Sequence, residues 1–147
     1  MMYFLDTSAF LEWLLKKNAD KNRPSGEQII TSDLLRVESH RTFHRLRMEN
    51  KLTDIEFARF EKKFQEFWDT VNVIFPDERI LDLASRAFPT IIGTLDAIHL
   101  STAILYQEMK KEKVIFITED KQLGITAQAC GFEVVGHTLA NNNSFQK

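Results

Sequence analysis

Apolar residues fall into four short runs separated by longer stretches of helical periodicity. Tyr3-Phe4-Leu5 opens the chain, Val71 to Phe75 makes the second run, Val114 to Thr118 the third, and Glu133 to Val135 the fourth. Val114-Ile115-Phe116-Ile117 is apolar at every position, the pattern of a parallel strand buried on both faces. Between the runs, Phe10, Leu11, Leu14 and Leu15 follow Thr7 and Ser8, either of which suits a helix N-cap. Pro24-Ser25-Gly26 breaks the chain, and Ser32 is placed to cap a helix carrying Leu34, Leu35, Val37 and Glu38. Thr53-Asp54-Ile55-Glu56 matches a capping box, after which Phe57, Phe60, Phe64 and Phe67 recur at helical spacing. Asp77 caps a helix with Ile80, Leu81, Ala84 and Phe88, and Thr94 caps one with Leu95, Ile98, Ala103 and Leu105. A last helix follows Asp120 and stops near Gly131, the residue type favoured just past a helix end.

Strands alternating with helices predict an α/β fold, a mostly parallel sheet with helices on both faces and right-handed crossovers. Neither a repeat nor a linker divides the sequence, so one domain is expected over residues 1–140. The polar stretch 141–147 is expected to be a disordered tail.

Composition changes this picture little. A chain of 147 residues can bury one substantial core, and 44% hydrophobic with 27% charged residues is ordinary for a soluble protein. No apolar run is long enough to cross a bilayer, and Asp6 interrupts any signal-peptide core, so a cytoplasmic address without a membrane partner is expected. Cys130 is the single cysteine, which excludes an intrachain disulfide and a cysteine-rich zinc site. It reads as a small hydrophobe at a helix end. The formal net charge of −2 sits badly with phosphate binding, so the placement of the basic residues matters.

The acids carry the candidate chemistry. Ligands of open parallel sheets bind outside the carboxyl ends of the strands. Asp6 directly follows the first strand, and Asp120 lies two residues past Thr118 at the end of the third. Asp96 falls in the first turn of its helix and Glu38 in the second turn of another. If those helices start at the same sheet edge, four carboxylates converge there. Clustered carboxylates repel unless a cation is present. A hard divalent cation takes oxygen ligands and supports phosphodiester hydrolysis. Singly, each acid has a plainer reading: Asp6 as a strand-end turn or cap, Asp96 and Asp120 as acids at positive helix ends, and Glu38 as a solvated partner of Arg41.

The local strings narrow the choice. Phe4-Leu5-Asp6-Thr7-Ser8-Ala9-Phe10 resembles the opening motif of PIN-domain nucleases, and Leu35-Arg36-Val37-Glu38 their second motif. Thr94-Leu95-Asp96-Ala97-Ile98-His99-Leu100-Ser101-Thr102-Ala103 is similar to the third and is the most specific string in the chain. Ile117-Thr118-Glu119-Asp120-Lys121-Gln122-Leu123 resembles the fourth, followed by Ala127-Gln128-Ala129-Cys130-Gly131-Phe132-Glu133-Val134. The motifs occur in family order over nearly the whole chain, and the resemblance is closest to VapC-type toxins. It implies a three-layer α/β/α fold and a Mg²⁺- or Mn²⁺-dependent endoribonuclease, with Asp6, Glu38 and Asp96 as core acids and Asp120 as a fourth that acts directly or through water. It also implies an RNA substrate and a cognate antitoxin. Ser8 and Thr118 fall at polar positions beside the implied metal. They either orient water or phosphate, or serve as helix cap and strand-end hydroxyl.

Other features stay open at this point. Arg41, His44 and Arg45 follow Glu38 with His40 and Arg47, and read either as an RNA-backbone patch or as a solvated basic face. His99, three residues after Asp96, reads as packing or a hydrogen bond and not as a ligand, because a carboxylate-rich site favours hard cations. The phenylalanine stripe with Trp68 reads as core, with room for a homodimer face or an inhibitor-peptide groove. A haloacid-dehalogenase-type phosphotransferase needs a second acid two residues after the first, where Ser8 stands. A response-regulator receiver needs an acidic pair at the amino end that is missing here, although Lys121 fits its late lysine. A catalytically silent PIN-like RNA- or protein-binding module is the remaining alternative, and retention of all four acids favours an enzyme.

Overall fold

The computed structural model describes residues 1–16 and 23–136; the tail 141–147 lies outside the described residues. Five strands form one fully parallel sheet: β1 (Met2–Leu5), β2 (Ile29–Ser32), β3 (Asn72–Ile74), β4 (Val114–Ile117) and β5 (Glu133–Val135), in the order β3-β2-β1-β4-β5. The helices are α1 (Thr7–Leu15), α2 (Leu34–Met48), α3 (Asp54–Trp68), α4 (Glu78–Ala84), α5 (Thr94–Lys110) and α6 (Lys121–Ala129).

Strand pleat explains the three layers. Successive side chains of a strand point to opposite faces. Phe4 of β1 and Phe116 of β4 therefore enter one core with Leu100, Ala103, Leu123 and Ala127 of α5 and α6. Leu5 and Ile117 enter the opposite core with Phe10, Leu35, Phe43 and Phe64 of α1, α2 and α3. β4 is buried at all four positions, as its unbroken apolar run predicts. The phenylalanine stripe packs inward: Phe64 is buried, and Phe57, Phe60, Phe67 and Trp68 lie half-buried against the α1–α3 core.

Several local expectations need correction. β2 is a strand that hydrophobic patterning alone does not signal. It is four residues long, and its second half, Thr31-Ser32, is polar although fully buried. Burial is tolerated because Thr31 Oγ1 donates to the Leu5 carbonyl at 2.8 Å. Ser32 ends this strand, although its Oγ still accepts from the Leu34 amide at 3.2 Å. Asp6, not Thr7 or Ser8, caps α1, since a carboxylate one residue earlier reaches the free Ala9 amide. Gly93, not Thr94, is the N-cap of α5. α4 ends at Ala84, and Phe88 packs on the core from beyond it. Thr53 and Glu56 do form the reciprocal capping box. Gly131, with φ +95°, follows the end of α6 in the left-handed conformation that glycine adopts at no steric cost.

The chain order reverses across β1, with β2 on one side and β4 on the other, which makes the carboxyl edge of the β1–β4 pair the expected ligand position. In register, Leu5 pairs with Ile117, so Asp6 and Thr118 leave the sheet side by side. Just beyond β5, a Cβ on Gly136 would lie 1.8 Å from the Thr118 carbonyl oxygen. Gly136→Ala is therefore expected to cost about 1–3 kcal/mol, the scale of overpacking a close backbone contact. Urea unfolding of the variant checks this; unchanged stability would mean that β5 approaches β4 less closely.

Candidate metal centre

The site sits where the two central strands hand over to helices. Asp6 is 2% exposed. Its Oδ1 accepts from the Ala9 amide at 3.0 Å and from Ser8 Oγ at 2.8 Å, and its Oδ2 accepts from Thr118 Oγ1 at 2.7 Å. Those hydroxyls also accept from the next turn: Ser8 Oγ from the Glu119 amide at 3.0 Å, and Thr118 Oγ1 from the Asp120 amide at 3.0 Å. Asp120 in turn caps α6 through the Leu123 amide at 2.9 Å. A hydroxyl has one proton, and both of these are directed at Asp6. Ser8 and Thr118 thus tie Asp6 to the β4–α6 turn.

Glu38 and Asp96 arrive from the helices. Glu38 lies one turn into α2, and its Oε1 accepts from Thr7 Oγ1 at 2.9 Å and from His99 Nε2 at 2.6 Å. Its side-chain partners are thus Thr7 of α1 and His99 of α5, and not Arg41 on its own helix. Asp96 lies in the first turn of α5, half-buried. Helices that run antiparallel to the strands begin at the carboxyl edge of the sheet, so α1, α5 and α6 all present their positive ends here. Asp6, Glu38, Asp96 and Asp120 line one cavity of about 240 Å³ with Thr7, Ser8, Leu11, Thr42 and His99. A larger cavity of about 580 Å³ between α4 and α5 has no carboxylate in its lining.

Electrostatics follow from this crowding. Burial pushes the Asp6 carboxyl above its ordinary value, opposed by the Ala9 amide, the Thr118 hydroxyl, nearby His99 and the Ser8 hydroxyl. Asp96 is pushed up to about 6, first by burial and then by repulsion from Asp120, Asp6 and Glu38, with His99 opposing. No lysine or arginine is among the residues lining the cavity.

Residues 3–128 match the PIN domain. The chain belongs to the PIN-domain family. It is 28% identical over 139 residues to Ribonuclease VapC47 of Mycobacterium tuberculosis (strain CDC 1551 / Oshkosh), across 89% of this chain and 93% of that protein. The fold is similar to that in the crystal structure of VapBC2 from Rickettsia felis bound to a DNA fragment from their promoter. That match has a TM-score of 0.63 at 14% identity, covering 92% of this chain and 98% of the other, and bears on the fold alone.

The carboxylates of this PIN domain fit a hard cation in kind: four oxygen donors, one of them deeply buried, repelling one another beside three helix N-termini. As they stand, no three His, Cys, Asp or Glu side chains among the described residues group tightly enough to hold one ion. The basic candidates lie apart. Arg41, His44 and Arg45 are exposed on α2 outside the cavity lining, His44 with its ring 5.5 Å from Phe57. Sequence patterning signals neither the Thr7–His99 pairing on Glu38 nor the tight approach of Gly136; the only hint is the i, i+3 spacing of Asp96 and His99 on one helix face.

A carboxyl whose pKa is higher folded than unfolded binds its proton more tightly in the folded state, so stability falls as pH rises between the two values. For Asp96 that window runs from about 4 to about 6. Metal-free Asp96→Asn is expected to melt a few degrees above wild type at pH 7.5, roughly the effect of 1 kcal/mol in a domain of this size. The advantage should disappear at pH 4. Thermal melts in EDTA at both pH values check it, and a less stable variant at pH 7.5 would contradict the repulsion.

Proposed function

We propose that this chain is a Mg²⁺- or Mn²⁺-dependent endoribonuclease and the toxin of a toxin–antitoxin pair. The observation that carries the proposal is the convergence of Asp6, Glu38, Asp96 and Asp120 on one cavity, at the strand-order reversal of a PIN domain. Likeness to Ribonuclease VapC47 supports RNA as substrate and a VapC-type toxin role, which calls for a cognate antitoxin.

Asp6, Glu38 and Asp96 would hold the cation, with Asp120 as the fourth acid. Asp120 Oδ1 accepts from the Leu123 amide to cap α6, which leaves Oδ2 as the freer oxygen for the ion or for an intervening water. When bound, the cation would polarise the scissile phosphodiester and offset charge building on its oxygens. Ser8 and Thr118 fix the Asp6 carboxylate so that little reorganisation is needed when that charge develops. Arg41, His44 and Arg45 supply a basic face on the same helix as Glu38, which suits the RNA backbone approaching an acidic cavity. A local patch of this kind answers the mildly acidic net charge.

Purified wild type is expected to cut RNA with Mg²⁺ or Mn²⁺ and to stop in EDTA. Asp6→Asn and Asp96→Asn should fold yet lose about 10²–10³-fold or more, the scale of removing one preorganised electrostatic group. Arg41→Ala with Arg45→Ala should weaken RNA binding and flatten its salt dependence by about two counterions. Undiminished cutting in EDTA or by the Asp variants would sink the mechanism. Metal-loaded wild type that binds RNA without cutting any would support a catalytically silent module instead.

A further inference from the structure

Of the four acids, Glu38 has the longest side chain and needs the most restraint to address a fixed point. Both of its hydrogen bonds from Thr7 and His99 fall on Oε1. Thr7 Oγ1 and His99 Nε2 are themselves 3.3 Å apart, so α1, α2 and α5 meet in a closed triangle of polar atoms. A carboxylate only accepts, so the Nε2 proton of His99 points at Glu38. His99 is 1% exposed, with Phe4 edge-on at 6.0 Å, and its Nδ1 is buried with no hydrogen-bond partner. An imidazole there is a poor choice for filling core, because one nitrogen loses water and gains nothing. A position that breaks a packing rule in this way calls for a compensating use of the other nitrogen. Arg41 stands one turn further along α2, where a released Glu38 would meet it.

We infer that Thr7 and His99 are positioning residues: by holding Oε1 they turn the other oxygen of Glu38 toward a divalent cation in the cavity. The inference rests on the cation-dependent reading of the site. Partners that orient a ligating carboxylate change metal affinity by about 10- to 100-fold when removed.

The test measures Mn²⁺ affinity of the full chain by electron paramagnetic resonance, with no RNA present. His99→Leu is expected to weaken Mn²⁺ binding by about 10- to 100-fold while the metal-free melting temperature holds or rises. His99→Gln, which restores an N–H donor, should recover part of the affinity, and Thr7→Val should lose affinity in the same direction even if His99→Leu fails to fold. In a Glu38→Ala background, His99→Leu should cost little more, since both changes act on one ligand. Wild-type affinity in both His99→Leu and Thr7→Val would overturn the inference and leave the cation site standing. A full, additive loss in the Glu38→Ala background would also overturn it, because His99 would then act on the fold at large. Wild type that binds no Mn²⁺ would remove the cation reading and this inference together.

Discussion

The buried carboxylate of Asp6 is the constraint on which the rest of the structure turns. It follows the central strand directly, caps the first helix, and receives hydroxyl protons from Ser8 and from Thr118 at the end of β4. Burying a charge that deeply is costly unless hydrogen bonds or a counter-charge answer it. Here the amide and hydroxyl donors answer part of the cost, and what remains appears as the raised pKa. The same donors fix the geometry: the Asp6 network fastens β1 to β4 at the sheet edge and, through the Asp120 amide, sets where α6 begins. One side chain thereby couples the fold to the site.

Crowding of the acids makes the site a place of stored electrostatic repulsion. Asp96 feels Asp120, Asp6 and Glu38 together, and helix N-termini and His99 offset only part of this. Such an arrangement is poor engineering for a metal-free scaffold and good engineering for a cation site, because a divalent ion removes the repulsion and gains the attraction of each acid. Glu38 completes the picture from a fourth helix, α2. Its hold by Thr7 and His99 costs a buried, unpartnered imidazole nitrogen, the kind of local inconsistency that functional sites retain.

Much of this was legible along the chain, for physical reasons that differ by element. β4 was plain because a strand buried on both faces is continuously apolar. Asp6, Asp96 and Asp120 were legible because parallel α/β topology sends strand ends and helix starts to one edge, so position in an element predicts position in space. β2 was not, because two of its four residues are polar and the burial of one of them, Thr31, depends on a hydrogen bond to β1, far off in sequence. Ser8 and Thr118 could be placed beside the site, but the direction of their protons depends on where Asp6 lies in three dimensions. The triangle of Thr7, Glu38 and His99 spans up to 92 positions in the chain, and no local periodicity encodes a contact of that kind. Arg41 beside Glu38 invited a surface pair, which the more buried donors of α1 and α5 outcompete.

The central claim is that the four carboxylates form a divalent-cation site, and anomalous diffraction from crystals soaked in Mn²⁺ tests it most directly. A peak is expected in the cavity bounded by Asp6, Glu38, Asp96 and Asp120, at roughly 2.0–2.2 Å from carboxylate oxygens of Asp6 and Asp96. That peak should be lost in Asp96→Asn. An empty cavity at saturating Mn²⁺, with these acids still apart or the ion bound elsewhere, would contradict the account.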